Sequence, residues 1–167
     1  MPTHYKGPEE VVRALNAYIN LARASGSVLA RLSAHAEAHG LTLGQFGILE
    51  ALLHLGPMCQ AELGAKLLRS GGNTTTVLDN LERRGLVRRE PEKTDRRKIR
   101  ICLTASGRRL ISGYFPSHAE AVTKELGRLT AREQEELRRL CRKLGLGARN
   151  STRQHAKDND NDTSSSQ

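Results

Sequence analysis

The sequence holds 167 residues with a formal net charge of +9, a pI of about 10.0 and 37% hydrophobic residues. This length suits one domain with a moderate core, and the positive charge favours a polyanionic partner such as nucleic acid or an anionic membrane. A merely soluble basic protein has the same composition, so the placement of the charge has to decide between these classes.

The N-terminal segment and the cysteines bear on location and class. Residues 1–10 contain a single lysine and no apolar run, so we expect no secretory signal, and no stretch is long and apolar enough to span a bilayer. Three widely spaced cysteines fit neither a disulfide framework nor a zinc cluster. These features predict a cytoplasmic protein.

The first predicted helix is long and apolar along one side. It covers about residues 8–38, where Pro8 suits the first turn and Glu9 and Glu10 suit the positive end of the helix dipole. Apolar and small residues recur at alternating spacings of three and four, which is typical of a coiled-coil-like seam. This face is too large for one small lobe to cover, so we expect a second copy of the chain against it. The seam consists of Val12, Leu15, Ile19, Ala22, Gly26 and Leu29.

A capped helix leads into a short third helix. Thr42 and Gln45 form a capping box for the second helix, which is expected to end at Gly56-Pro57. The third helix is predicted over roughly residues 60–67, with Cys59 as its N-cap. A thiol at a helix N-terminus can become reactive, so Cys59 is a candidate redox residue, although a small, partly buried cap is the commoner role for such a residue.

The fourth predicted helix has one apolar and one polar face. A turn is expected over residues 69–72, and within it Ser70 is the expected N-cap of the helix. The helix runs to about Arg84, with Gly85 at the C′ position. Helical geometry sorts its side chains into two sets. The inward set is Thr74, Val77, Leu78 and Leu81, and the outward set is Thr76, Asp79 and Arg83.

The outward face of this helix fits DNA. A helix of this diameter enters the major groove, and Gly71 and Gly72 would let the backbone approach a phosphate. Threonine and asparagine can bond base edges, whereas Asp79 would repel DNA, so we expect Asp79 to pair with Arg83 four residues on. A polar solvated face on an ordinary helix is the alternative interpretation.

A β-hairpin with a charged tip is predicted next. Residues 99–103 alternate between apolar and polar side chains, which predicts a strand with Cys102 on its polar side. Residues 86–89 supply the other strand, and Pro91 lies in the connecting loop. Between positions 88 and 100 there are seven cations and three anions. Such a tip could follow phosphates or insert an arginine into a narrow minor groove, although an isolated basic loop is more often solvated surface.

Two further helices and a tail complete the chain. Thr104 caps a helix that Pro116 is expected to kink or split, and the spacing of Thr130 and Glu133 predicts a capping box for the last helix. The apolar face of that last helix contains Leu137, Leu140 and Leu144, and Gly145 ends it. Residues 147–167 contain no Leu, Ile, Val, Phe or Tyr, so this segment cannot bury enough apolar surface to fold. We therefore expect a disordered polar tail.

Three segments together resemble a known family. They are Leu81-Glu82-Arg83-Arg84-Gly85-Leu86-Val87, Thr94-Asp95-Arg96-Arg97 and Leu103-Thr104-Ala105-Ser106-Gly107. In this combination they closely resemble the MarR family of bacterial transcription regulators, over roughly residues 9–146. The resemblance implies a mainly α fold with a small β-wing, in which a winged helix-turn-helix DNA-binding lobe joins a helical dimerisation domain. It also implies a homodimeric, sequence-specific regulator of transcription, expected to be a repressor released from operator DNA by a small phenolic or oxidising effector.

The resemblance also implies a division of labour along the chain. The dimerisation helices are expected at about 9–38 and 105–145, the helix-turn-helix at about 59–84 and the wing at about 86–104. Arg96 would be the minor-groove arginine, with Asp95 orienting it, while Cys59 stands where family members usually carry serine or threonine. The residues expected to contact DNA are Ser70, Gly72, Asn73, Thr75, Thr76, Arg83, Asp95, Arg96 and Arg97.

The resemblance also implies an effector pocket for small aromatic molecules between the dimerisation helices and the DNA-binding lobe. Aromatic residues are only 3% of the chain, yet two of them lie side by side at positions 114 and 115. These side chains could equally be plain core. The expected lining residues are Tyr18, Phe46, Tyr114, Phe115 and His118.

No motif of a catalytic or cofactor site is found. A glycine-rich phosphate loop, a nucleophile elbow and a paired-carboxylate signature are all missing, so we expect neither an enzyme nor a cofactor. His35 and His39 could present two ligands on one helix face, but no third ligand has suitable spacing, so no metal is expected. The main alternative function is a sequence-tolerant architectural or nucleoid-associated DNA-binding protein. An RNA-binding module and a protein-interaction scaffold are further alternatives.

Overall fold

The computed structural model describes residues 2–66, 71–92 and 98–145, without the side chains of residues 71–73. Its contacts divide the chain into two compact units, Met1–Thr123 and Lys124–Gln167. The described residues are mainly helical with one small antiparallel sheet, which confirms the predicted fold class. In chain order the elements are α1 (Glu9–Glu37), α2 (Leu43–Leu55), β1 (Met58–Cys59), α3 (Gln60–Lys66), α4 (Gly71–Arg83), β2 (Val87–Pro91), β3 (Ile99–Leu103), α5 (Ala105–Leu126) and α6 (131–145).

Local sequence signals set most of the helix ends. The capping box of α2 is present, since Gln45 N donates to Thr42 Oγ1 at 3.2 Å and Thr42 N donates to Gln45 Oε1 at 3.1 Å. At the start of α6, Thr130 N donates to Glu133 Oε2 at 2.8 Å, and Glu133 N donates to Thr130 Oγ1 at 3.4 Å. These bonds satisfy backbone donors that a helix N-terminus leaves without intrahelical partners. Both predicted capping boxes are therefore confirmed.

The end of α4 is a Schellman motif. Gly85 adopts a φ of 66°, its N–H bonds the carbonyl of Glu82 at 2.8 Å, and the N–H of Leu86 bonds the carbonyl of Leu81 at 2.9 Å. A residue with a side chain rarely adopts this φ, so glycine suits the C′ position. The motif turns the chain directly from α4 into β2.

The sheet packs behind α4 and differs from the predicted hairpin. Its strand order is β1-β3-β2, and Met58 of β1 pairs with Ile101 of β3. The short strand β1 was not predicted because two residues are too few to show an alternating pattern. Pro91 was expected in the loop but ends β2, an edge strand, where a missing N–H is tolerated.

The burial pattern of β3 also corrects a prediction. Ile101 is buried as expected, but Ile99 is 45% exposed and Cys102 is only 8% exposed. Cys102 lies on the opposite face of the sheet from Ile101, where Glu90 of β2 covers it with a hydrogen bond of 3.3 Å from Sγ to Oε2. The charged side chains of the wing therefore bury a position that alternation assigned to the polar side.

Two helices also depart from expectation. Pro116 lies inside α5, which continues unbroken from Ala105 to Leu126. Ile111 and Tyr114, five and two residues before Pro116, are almost fully buried, and this anchoring maintains the helix although proline removes one hydrogen bond. Gly71 and Gly72 belong to α4 rather than to the turn before it.

One continuous core lies in Met1–Thr123. It is formed by the inner faces of α2, α3, α4, the sheet and the first turns of α5, with the C-terminal end of α1 at its edge. α1 contributes little to it, because only Leu32 and Ala36 of its 29 residues are buried. Gly107 packs so closely under the chain before β2 that a Cβ there would overlap the carbonyl oxygen of Leu86.

Candidate nucleic-acid interface

The two faces of α4 are separated as the sequence predicted. Thr74, Leu78 and Leu81 are no more than 1% exposed and attach the helix to the core. Thr76 and Arg83 are exposed, while Thr75 is half-buried. The exposed face carries hydroxyl and guanidinium groups, which can bond base edges and phosphates.

Contacts from neighbouring helices fix the rotation of α4. At its N-terminal half, Gln60 of α3 donates from Nε2 to Thr75 Oγ1 at 2.7 Å. At its C-terminal half, Gln45 of α2 donates from Nε2 to Asn80 Oδ1 at 2.8 Å, and Arg84 Nη1 donates to Gln45 Oε1 at 3.1 Å. Gln45 therefore caps α2 and holds α4 at the same time.

The prediction that Asp79 pairs with Arg83 is wrong. Asp79 instead accepts a hydrogen bond of 2.6 Å from Nη2 of Arg89 in β2, because the strand returns alongside the helix. Nη1 of Arg89 bonds Glu82, and these hydrogen bonds, first of all the one with Asp79, raise the pKa of Arg89. Arg83 faces outward, and no carboxylate pairs with it among residues 2–66, 71–92 and 98–145.

Two ion pairs and one hydrogen bond lie at the base of the wing. Arg88 Nε contacts Glu90 Oε1 at 2.5 Å within β2, and Arg100 Nη1 contacts Glu92 Oε1 at 3.1 Å across the hairpin. Arg100 Nη2 also donates to the carbonyl of Pro57 at 2.5 Å, which joins β3 to the segment before β1. Arg100 therefore attaches the hairpin to the rest of the lobe, whereas the ion pair of Arg88 stays within β2.

Several of the predicted DNA-contacting residues lie where the structure gives no side-chain position. Ser70, Asp95, Arg96 and Arg97 are outside the described residues. Gly72 and Asn73 form part of the first turn of α4, and the side chain of Asn73 is outside the described set. Thr75, Thr76 and Arg83 are placed on or beside one face.

Three of the five predicted effector-pocket residues form a cluster. The ring of Phe46 lies 4.0 Å from the ring of His118 and 5.4 Å, edge-on, from that of Tyr114. The Tyr114 hydroxyl and His118 Nδ1 are 3.4 Å apart. Burial raises the pKa of Tyr114 and lowers the pKa of His118.

Two histidines from the end of α1 complete this aromatic cluster. The rings of His35 and His39 lie 5.6 and 4.8 Å from the ring of Tyr114. His35 Nε2 is also 3.1 Å from Ser117 Oγ of α5. Phe46 and Tyr114 are 7% and 4% exposed, so these two rings are core as well as candidate pocket. His35 and His118 are half-buried and His39 is exposed, so the imidazoles form the accessible part of the cluster.

The other two predicted pocket residues lie elsewhere. Phe115 contacts the ring of His54 at 4.8 Å rather than the cluster. Tyr18 is 68% exposed on α1, where it lines a shallow depression of about 530 Å³ with Glu10, Val11 and Leu15. Within one chain Tyr18 does not line the pocket. Only the C-terminal end of α1 packs into the core, and Tyr18 lies in its N-terminal half.

The three cysteines are free thiols in different environments. Cys59 is half-buried in β1 directly before α3, and its backbone N–H donates to Glu62 Oε2 at 2.8 Å, a bond that lowers the pKa of Glu62. Burial and the hydrogen bond to Glu90 raise the pKa of Cys102, while Cys141 is exposed on α6.

The described ranges contain neither a metal-binding cluster nor a membrane-spanning helix. Within residues 2–66, 71–92 and 98–145, no three His, Cys, Asp or Glu side chains are grouped so that they could hold a metal ion. In the same ranges, no helix combines the length and apolar character that crossing a bilayer requires.

The helix pair α3 and α4, followed by the hairpin β2–β3 in one sheet with β1, has the architecture of a winged helix-turn-helix, the class of fold in which the second helix enters the major groove. A family model described as MarR family matches residues 39–98. YkoM of Bacillus subtilis, an uncharacterized HTH-type transcriptional regulator, is 36% identical over 138 residues, which are 83% of this chain and 90% of YkoM. The chain belongs to the MarR family of transcription regulators.

Solved structures agree with this assignment. A MarR family transcriptional regulator of Streptomyces coelicolor in complex with DNA superposes with a TM-score of 0.76 at 21% identity, covering 86% of this chain and 91% of that one. A MarR family protein of Mycobacterium tuberculosis in complex with p-aminosalicylic acid has a TM-score of 0.60 at 32% identity, covering 77% and 97%. As a member of the MarR family, the protein is a DNA-binding transcription regulator, and the architectural alternative is not favoured.

Sequence reasoning missed the side chains that hold the interface together. Gln45 was recognised as a cap, but its bond to Asn80 spans 35 positions and has no local signal. The same holds for Gln60 with Thr75 and for Arg89 with Asp79.

Proposed function

We propose that the protein is a homodimeric repressor that reads a near-palindromic operator in the cytoplasm and releases it when a small phenolic or related aromatic effector binds. One observation carries the DNA-reading part. The helix α4 is anchored by Thr74, Leu78 and Leu81 while Thr76 and Arg83 remain exposed on its other face. A second helix of a helix-turn-helix presents such a face to the major groove.

Exposed apolar side chains support a dimer. α1 leaves Leu29 51% and Tyr18 68% exposed, and α6 leaves Leu140 48% and Leu144 64% exposed. A second copy would cover these faces, so we assign dimerisation to the helices at about 9–38 and 105–145. A two-fold dimer carries two α4 helices, which suit half-sites separated by about one helical turn of DNA, on the order of 10 bp, or a multiple of it.

Helix and wing would divide the contacts with DNA. Asn73, Thr75 and Thr76 would bond base edges, with Ser70, Gly72 and Arg83 on phosphates. Arg96 would enter the minor groove, held by Asp95 and assisted by Arg97. The minor groove offers a nearly degenerate pattern, so the wing would add affinity, and the helix would add sequence discrimination.

The aromatic cluster would be the effector site. Phe46, Tyr114 and His118 offer ring surfaces, a hydroxyl group and an imidazole, which suit an aromatic ring with an acidic substituent. The Mycobacterium tuberculosis relative that is 32% identical holds such a molecule, p-aminosalicylic acid. Occupation of the cluster would move α2 and α5, shifting the dimer toward conformations that fit DNA less well.

Selection of DNA followed by binding measurements tests the DNA-reading part. Fragments enriched by the purified protein, and scrambled versions of them, are titrated by fluorescence anisotropy across salt concentrations. Arg96→Ala should weaken binding to both DNAs and flatten the salt dependence by roughly one unit per chain. Asn73→Ala or Thr76→Ala should cost ~1–3 kcal/mol on the selected DNA alone, with little change in salt slope. Equal weakening on both DNAs by the helix variants would show that α4 does not read sequence.

A matched pair of tyrosine variants tests the effector part. p-Aminosalicylic acid is titrated into the complex with the selected DNA. Tyr114→Phe removes a hydroxyl inside the cluster, and Tyr5→Phe removes one from an exposed tyrosine outside it. Release of DNA should require a higher concentration of the acid only for Tyr114→Phe. If the acid displaces no DNA from the unaltered protein, this compound is excluded as an effector while the DNA-reading proposal stands.

A further inference from the structure

Arg89 joins the wing to the recognition helix through three bonds. Its guanidinium Nη2 bonds Asp79 Oδ1 at 2.6 Å, its Nη1 bonds Glu82, and its backbone N–H donates to Glu82 Oε1 at 3.1 Å. The two carboxylates lie three residues apart on α4, so they present neighbouring oxygens to the two ends of one planar guanidinium group. We name this group of three side chains the Arg89 latch.

The latch lies outside the core, at the surface where α4 meets β2. Leu81 and Val87 hold helix and strand together inside the lobe, where both are at most 2% exposed. The side chains of the latch are 30%, 56% and 38% exposed for Arg89, Asp79 and Glu82. α4 is thus tied to β2 on its inner side by apolar packing and on its outer side by ions, which restrains rotation of the helix against the wing.

The latch also governs charge on the DNA-facing side. Asp79 is the acidic residue of the outward face, and a carboxylate near a phosphate backbone opposes binding. Arg89 offsets that charge from within the protein, so Arg83 is not required as its partner. Arg83 keeps its own positive charge for the DNA.

We propose that Arg89 is a positioning residue that fixes the angle between α4 and the wing, so that both engage the same stretch of DNA. This inference rests on the proposed function, in which α4 reads bases and the wing contacts the backbone. A pre-set angle spares the complex the entropic cost of ordering two independent elements. Because the ion pairs are partly exposed, they contribute little to folding stability. Their loss should therefore lower DNA affinity and leave the free energy of unfolding almost unchanged.

The sign of one substitution separates positioning from simple charge repulsion. Asp79→Asn removes a negative charge from the DNA-facing side, which by electrostatics alone should tighten binding. It also replaces the charge-assisted bond between Asp79 and Arg89 by a weaker bond to a neutral amide oxygen. If Arg89 positions the helix, Asp79→Asn weakens binding to the selected DNA on the order of fivefold, which is the usual difference between a hydrogen bond to a charged group and one to a neutral group. Asp79→Glu keeps a carboxylate within reach of Arg89 and should recover most of that loss.

Two neighbouring arginines supply a matched control. Arg89→Lys keeps the charge but cannot bond both carboxylates with a planar fork, whereas Arg88→Lys alters an exposed arginine that bonds only Glu90 among the contacts described for it. Anisotropy on selected and scrambled DNA, with thermal unfolding alongside, gives the readouts. Arg89→Lys should lose on the order of tenfold on selected DNA and almost nothing on scrambled DNA, without a matching fall in melting temperature. Arg88→Lys should change neither.

Three results would overturn the inference. Asp79→Asn could bind the selected DNA as tightly as the unaltered protein, or more tightly. Arg89→Lys could behave like Arg88→Lys, or it could lose affinity for both DNAs together with thermal stability, which would make Arg89 a fold-stabilising residue only. The unaltered protein tests the proposed function separately from the latch. If it bound selected and scrambled DNA with equal affinity, the proposal that α4 reads sequence would be refuted.

Discussion

The winged lobe carries its own core, whereas α1 does not. Leu49, Leu63 and Leu78 of α2, α3 and α4 are fully buried within one chain, while Leu29 of α1 is 51% exposed. Both regions show apolar residues at helical spacing, so the pattern of the sequence is the same. The difference teaches that periodicity reveals which face of a helix will be covered, but not whether the cover comes from the same chain.

A charge in the seam of α1 should have the largest effect. Leu29→Glu puts a carboxylate on the face that we assign to the dimer, and two-fold symmetry introduces it twice. Losing two buried leucines would weaken the dimer by on the order of 4 kcal/mol. Sedimentation velocity should show monomers at micromolar concentration, while circular dichroism of the lobe is retained.

Ser27→Glu is the control for this substitution. It adds the same charge on another face of α1, at an exposed position, and should leave the dimer intact. A Leu29→Glu protein that sediments like the unaltered dimer would show that this part of α1 is not in the interface.

A substitution inside the lobe should come next in size. Gly107→Ala places a Cβ against the carbonyl oxygen of Leu86, so either α5 or the chain before β2 must shift. Overpacking of this kind costs about 2–3 kcal/mol of unfolding free energy. Urea denaturation measures the loss. Gly113→Ala in the same helix meets no atom within 4 Å and should be neutral or slightly stabilising. Equal stabilities for the two variants would contradict the close packing at Gly107.

A pH effect should be smaller and located at the border between α1 and the lobe. Burial lowers the pKa of His118 below its ordinary value of 6.5, with Glu50 acting to raise it and His35 to lower it. The unfolded chain then binds the proton more readily than the folded chain, so stability present above about pH 6.5 declines as the pH falls below that value.

The variant His118→Gln tests this dependence. Urea unfolding at about pH 7.5 and about pH 5.5 should show a smaller loss of stability on acidification for the variant than for the unaltered protein. His4→Gln, at a position outside the cluster, should follow the unaltered protein. A variant as sensitive to acid as the unaltered protein would assign the dependence to other groups.

The smallest effect is expected at Cys59. The bond to Glu62 comes from the backbone of Cys59, so Cys59→Ser should keep it and change stability by no more than about 0.5 kcal/mol. DNA affinity and its response to peroxide or quinone should be the same in both proteins. A response present in the unaltered protein and lost in Cys59→Ser would establish Cys59 as a redox sensor.

The sequence predicted those parts of the fold that local chemistry determines. The capping residues Thr42 and Thr130, the glycine at position 85 and the two faces of α4 follow from hydrogen bonding and helical geometry over a few residues. The partner of Asp79 was predicted wrongly because local spacing favours Arg83, whereas the sheet returns Arg89 to the same place. Pro116 and Cys102 were misjudged for a related reason, since the packing that holds them comes from distant residues.

The double attachment of Gln45 has a consequence for how this chain can change over evolutionary time. If α4 reads DNA as proposed, substitutions at Thr76 or Arg83 alter an exposed side chain outside the core, so operator preference can drift one position at a time. Gln45 bonds Thr42, Asn80 and Arg84 together, so replacing it disturbs two helices at once. Changes at Gln45 and Asn80 should therefore be strongly non-additive, and a new residue at one position is tolerated only alongside a compensating residue at the other.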